Sequence, residues 1–118
     1  MIKRISNIIK QKIFILSERR KINRNGTLIN AFNKSNTIFI HIPKTAGISL
    51  VNGIYGSVSN EGHRKVHFYK KIFGKKFKKF FVFSFVRNPY DRLYSAYKFL
   101  QTGGMNIHDK NAYNQHLI

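Results

Sequence analysis

Two clusters of residues in this chain have the types and spacing to hold anions. In the first, Pro43-Lys44-Thr45-Ala46-Gly47 places a cation, a hydroxyl and two small residues within one short stretch, with Ile48 and Ser49 directly after. Small residues let anion oxygens approach the backbone, the hydroxyls of Thr45 and Ser49 can donate, and Lys44 supplies a point charge. In the second, Arg87 closes an apolar run and Ser95 follows two helical turns later. A guanidinium and a hydroxyl at that spacing make a second anion site if both face one ligand.

The surrounding pattern supplies the elements that would position these groups. Ile38, Phe39, Ile40 and Ile42 form a β-branched and aromatic run stopped by Pro43, which suits a buried parallel strand. Past Gly47, the residues Ile48, Val51, Ile54 and Tyr55 recur at helical spacing. The predicted order is strand, loop, helix, with the helix N-terminus and its dipole aimed over the loop. The nucleotide-binding signature GxxxxGK[ST] is absent, and the loop alone is equally compatible with an ordinary strand-to-helix connection. Phe80 to Val86 reads as a second buried strand, and Asn88, Pro89 and Asp91 form a helix start as cap, first position and first-turn acid. Along that helix Leu93, Ala96, Tyr97 and Leu100 make one apolar stripe, with Ser95 on another side. Open α/β sheets place their sites at the carboxyl edge, where Arg87 and Ser95 would then sit.

HIPKTAGISL and FSFVRNPYDRLYSAY, in that order, resemble the two cofactor motifs of sulfotransferases that use 3'-phosphoadenosine 5'-phosphosulfate (PAPS). The likeness is to the branch of carbohydrate enzymes such as the heparan sulfate 2-O sulfotransferases and their bacterial homologues. The step from Arg87 to Ser95 matches the family's own. The resemblance implies an α/β fold, a P-loop-like parallel sheet flanked by helices. It also implies that Pro43, Lys44, Thr45, Ala46, Gly47, Ile48 and Ser49 hold the 5'-phosphosulfate, and that Arg87 and Ser95 hold the 3'-phosphate. His63 follows Gly62 where relatives carry a histidine upstream of the second motif, so it is implied as the catalytic base, with Lys44 assisting the leaving phosphate. The implied reaction is sulfuryl transfer from PAPS to a hydroxyl of a carbohydrate or glycan acceptor, with no metal required. The likeness runs from about Thr37 onward, so residues 1–36 are expected to be a basic helix and linker and 37–118 the N-terminal part of a sulfotransferase domain. Relatives continue past the second motif, which makes the expected sheet incomplete and the chain a C-terminally truncated member.

Outside the motifs the sequence is less specific. The chain has 118 residues and a formal net charge of +18, which attracts nucleic acid, anionic lipid or polyanionic glycan without choosing among them. It has no cysteine, which excludes disulfides and thiolate chemistry. Residues 1–24 combine lysines and arginines with Ile2, Ile5, Ile9, Ile13 and Leu16 at roughly helical steps, the pattern of a helix that covers the domain or makes peripheral contact with an anionic membrane. No apolar stretch approaches the length of a membrane span, and the default setting is cytoplasmic. Residues 24–35 read as a turn-rich linker, 56–62 as a polar loop, and Val66, Tyr69, Ile72 and Phe73 as a short helix closed by Gly74. The tail from 105 to 118 shows no evident element.

Three function classes compete on these residues. A sulfotransferase accounts for both motifs, and an inactive cofactor-binding fragment keeps the fold without turnover. A basic nucleic-acid module would use the cation and aromatic alternation of KKIFGKKFKKFF, though a solvated turn followed by a strand is the simpler reading, and no specific nucleic acid is expected. Taken apart from the resemblance, His63 is an ordinary loop histidine. His63 and His67 are spaced like a metal pair but have no supporting carboxylate.

Overall fold

The computed structural model describes residues 1–59 and 61–116, leaving Asn60 of the polar loop and Leu117 and Ile118 of the tail outside the described residues. The chain order is α1 (Ile2–Arg19), a 3-10 turn (Arg20–Asn23), α2 (Leu28–Ser35), β1 (Thr37–Phe39) and α3 (Gly47–Tyr55). It continues with α4 (Val66–Phe73), a second 3-10 segment (Gly74–Lys79), β2 (Phe81–Phe83), α5 (Pro89–Gln101) and α6 (Ile107–His116). β1 and β2 pair in parallel, with Thr37 opposite Phe81 and Phe39 opposite Phe83. The α/β class with a parallel sheet flanked by helices therefore holds, in a helix-dominated form. A parallel pair needs a long crossover, and α3 and α4 occupy it.

The core forms where helices cover one region of this small sheet. Ile29, Phe32, Ile38 and Phe39 are fully enclosed, with Tyr69, Ile72, Phe73 and Phe80 packed around them. Phe32 meets Tyr55 and Tyr69 edge-on at 5.0 and 5.5 Å between ring centres, tying α2 to α3 and α4. Residues 24–35, with the composition of a linker, thus contain a helix central to the fold. Thr27 caps α2 by accepting from the Asn30 N–H, and Leu28, Ile29 and Phe32 turn one face inward. The asparagines of this segment gave it a turn-like composition while its few apolar residues carried the packing.

Two other expectations change in extent. The strands are shorter than their apolar runs, and most of the second run beyond Phe80 is not fully buried: Phe81 is 70 % and Val86 85 % exposed. With two strands in the sheet, much of the surface around β2 has no layer over it. Likewise α5 begins as expected, with the Asn88 side chain accepting from the Tyr90 N–H and Pro89 at the first turn, yet it buries no residue fully and Leu93 stays exposed. The tail, read as featureless, contains α6, anchored where Asp109 accepts from the Met105 N–H at 2.9 Å. Lys75–Lys79 do form an exposed turn, and Phe73 and Phe80 pack against each other, ring centres 4.5 Å apart and tilted by 42°, inside the core rather than presenting a platform of rings. The radius of gyration is 17.0 Å, against about 13–14 Å for a compact chain of this length. The molecule is a broad plate with a thin core.

One electrostatic clamp closes the elbow after α1. Lys21 reaches Glu18 and Glu61, each at 2.9 Å, and both carboxylates are buried. Burial works against the charged Lys21, but the hydrogen bonds to Glu61 and Glu18 outweigh it and raise its pKa. Arg19 adds two hydrogen bonds to the Lys71 carbonyl, pinning α1 to the end of α4. Removing Lys21 would leave two buried carboxylates without a counter-charge. Lys21→Ala is expected to lower unfolding stability by about 3 kcal/mol in urea titration, whereas exposed Lys65→Ala should stay within about 0.5 kcal/mol.

Candidate functional site

The parallel pairing sends the chain out of both strands at the same edge of the sheet, so the two predicted anion loops emerge side by side. The pairing extends past the formal strands: the Ile40 N–H donates to the Phe83 carbonyl at 2.8 Å, and Ser84 Oγ donates to the Ile40 carbonyl at 2.9 Å. Beyond that point the first loop turns sharply. Lys44 has φ +63° and Ala46 φ +58°, both in the left-handed region that costs a non-glycine residue about 1 kcal/mol. Left-handed residues of this kind turn backbone N–H groups toward a common concavity, the geometry of anion-binding nests.

Thr45 is buried, and its hydroxyl donates to the Ile42 carbonyl at 2.7 Å. That proton is committed to the turn, so Thr45 shapes the loop and offers only its backbone N–H outward. The first bond of α3 runs from the Leu50 N–H to the Ala46 carbonyl, leaving the amides of Gly47, Ile48 and Ser49 ahead of the helical ladder. They carry the positive end of the helix dipole.

The second motif packs onto this loop through α5. Arg92 Nε donates to the Pro43 carbonyl at 3.0 Å, and Lys44 Nζ lies 4.2 Å from the centre of the Phe99 ring. Pro43 and Lys44 together with Pro89, Arg92, Leu93 and Ala96 line an open groove of about 430 Å³. Arg87 lies outside that lining, exposed on the connection between β2 and α5, and Ser95 is half-buried one turn beyond Arg92. Among the described residues neither side chain has a protein hydrogen-bond or ion-pair partner. Arg92 and Phe99 were not singled out in the sequence. Their positions on the α5 face that carries Ala96 are the signal that could have found them.

His63 is brought to the same end of the molecule, against His41. Its Nδ1 lies 3.3 Å from the His41 carbonyl, and the two imidazole rings are 4.3 Å apart. This places His63 beside His41. Burial, and secondarily the nearby His63, holds the His41 pKa below the ordinary histidine value. His41 stacks on Phe39 and covers Gly47 so closely that a Cβ at position 47 would fall within its imidazole. The small residue at 47 is therefore required by the histidine six positions before it as well as by the loop. His41 stands at the head of the first motif, where neither its type nor its spacing assigns it a role.

A model of the sulfotransferase family matches residues 28–116, a span that begins with α2 and includes both loops, His63 and α6. Neither a curated protein nor a solved structure matches the chain.

Gly47→Ala is expected to destabilise the protein by about 1–3 kcal/mol in urea unfolding through overpacking, and the cost should shrink in a His41→Ala background. Equal costs in both backgrounds would show that the contact is unimportant. His41 also gives a pH signature. Because its folded pKa is depressed, its stabilising contribution is present above the unfolded value of about 6.5 and is lost as pH falls through the folded value. Thermal scans from neutral to mildly acidic pH should show the melting temperature of the parent chain falling more than that of His41→Gln.

Proposed function

This chain belongs to the sulfotransferase family, and from that premise we propose that it binds PAPS across the two loops at the sheet edge and transfers the sulfuryl group to a hydroxyl of a carbohydrate acceptor. The observation that carries the reading is the convergence of both motifs on one edge, joined by the Arg92 to Pro43 hydrogen bond. The residues fit a ligand with two separated anionic ends. The Pro43–Ser49 loop offers left-handed turns, free helix-terminal amides and the Lys44 cation at one end, and Arg87 offers an unpaired guanidinium at the other. Among the described residues no group of three or more His, Cys, Asp or Glu is gathered around a point.

PAPS supplies a sulfuryl group on a phosphate leaving group, and the work of the chain is positioning and charge stabilisation. In the proposed reaction a bond forms from the acceptor oxygen to sulfur as the bond from sulfur to the phosphate oxygen breaks. The His63 imidazole accepts the acceptor's proton, and Lys44 with the amides of Gly47, Ile48 and Ser49 stabilises the charge left on the 5'-phosphate. Arg87 would grip the 3'-phosphate in a bidentate fashion with Ser95 as a further donor. Membership of the branch resembling heparan sulfate 2-O enzymes, and a cytoplasmic setting, are parts of the same proposal. Cofactor binding without turnover is the second reading, favoured by the two-stranded sheet and the exposed Leu93 and Tyr94 of α5.

Calorimetric titration with 3'-phosphoadenosine 5'-phosphate, beside adenosine 5'-monophosphate at moderate salt, separates these readings from mere charge attraction. The bisphosphate should bind more tightly, and Lys44→Ala and Arg87→Ala should each weaken it by about tenfold or more, equivalent to losing ~1.4 kcal/mol of a charge-assisted contact. His63→Ala should leave nucleotide binding intact and remove sulfuryl transfer. Equal binding of the two nucleotides would overturn the site assignment.

A further inference from the structure

The longest helix of the chain presents a surface that the sulfotransferase reading does not use. α1 is 18 residues long, about 27 Å at helical rise. One face of it packs on the domain: Phe14 lies 6.2 Å from the Phe68 ring, Ile15 packs against the core, Glu18 is buried and Arg19 is tied to the Lys71 carbonyl. At about 100° per residue, Ile2, Ile5, Ile9, Ile13 and Leu16 gather within an arc of about 80° on the opposite face. All five are half or more exposed, from 50 % at Ile5 to 84 % at Ile2. An aliphatic stripe pointing away from its own domain has no packing role inside this fold.

The charges beside the stripe identify its occupant. Lys12 flanks it on one side and Lys3 and Lys10 on the other, while the helix's one acid, Glu18, is buried and held by Lys21. A second copy seated stripe to stripe would bring cations against cations with no carboxylate to pair them. A spanning helix is also unsuited, since no helix among the described residues is long and apolar enough to cross a membrane. We propose that α1 lies in the plane of an anionic lipid surface, its five aliphatic residues among the acyl chains and its flanking lysines at the headgroups. An amphipathic helix with cations bordering a narrow aliphatic face binds in this way, through apolar burial and attraction to acidic lipid together. The inference stands independently of sulfuryl transfer.

The test is sedimentation of the full chain with vesicles of phosphatidylcholine alone or mixed with phosphatidylserine. The parent chain should partition onto the phosphatidylserine vesicles and far less onto phosphatidylcholine. The double substitution I9Q/I13Q leaves the charge unchanged at two exposed positions and should weaken partitioning at least tenfold, while the urea unfolding midpoint stays in place. The chain contains no tryptophan, so I13W introduces a single reporter whose emission should shift to the blue on anionic vesicles. Failure of the parent chain to bind would overturn the proposal. So would undiminished binding by I9Q/I13Q, which would reduce the effect to overall charge. A concentration-dependent dimer abolished by I9Q/I13Q, with no vesicle binding, would give the stripe to a second copy instead.

Discussion

The parallel contact between β1 and β2 is the constraint on which the functional geometry depends. It is only three residues deep, and it determines that Lys44 and Arg87 leave the sheet at the same edge rather than at opposite ends. An antiparallel pairing of the same apolar runs would bury similar surface and separate the two loops. So short a ladder needs reinforcement, and it receives it at both ends. The Phe81 N–H donates to the Asn36 carbonyl before the strands begin, and the Ile40 and Ser84 bonds extend the contact beyond them.

The stability of this arrangement comes from few residues. Among the described residues nine apolar side chains form the buried core, and eight of them come from α2, β1 and α4, none from α5. α5 is held to the rest by specific polar and aromatic contacts with the first loop rather than by a buried face. The half of the site on α5 therefore rests on a softer support than the half on α3.

What was legible in the sequence followed the strength of local signals. The strand, loop and helix around Pro43–Ser49 were readable because an apolar run, a proline and helical periodicity succeed one another without overlap. Asn88 and Pro89 marked the start of α5 by cap chemistry. The helix at Leu28–Ser35 was hidden because its asparagines resemble a linker and its inward face consists of only three apolar residues. The exposure of Phe81, Val86 and Leu93 was also invisible, because an apolar residue signals a preference for burial and not whether a neighbour exists to bury it. His41 escaped notice for a different reason: its importance lies in the atom missing from Gly47, which no periodicity records.

The four acids of the chain are spent within its own architecture. Glu18 and Glu61 are clamped by Lys21, Asp109 holds the entry to α6, and Asp91 sits in the first turn of α5 against the helix dipole. The surface thus has cations but almost no carboxylates with which to balance them, and its neutralising ions must be recruited from the surroundings. Added salt would therefore relieve the self-repulsion of a chain with a formal charge of +18, and would do so more strongly than in a protein whose charges balance.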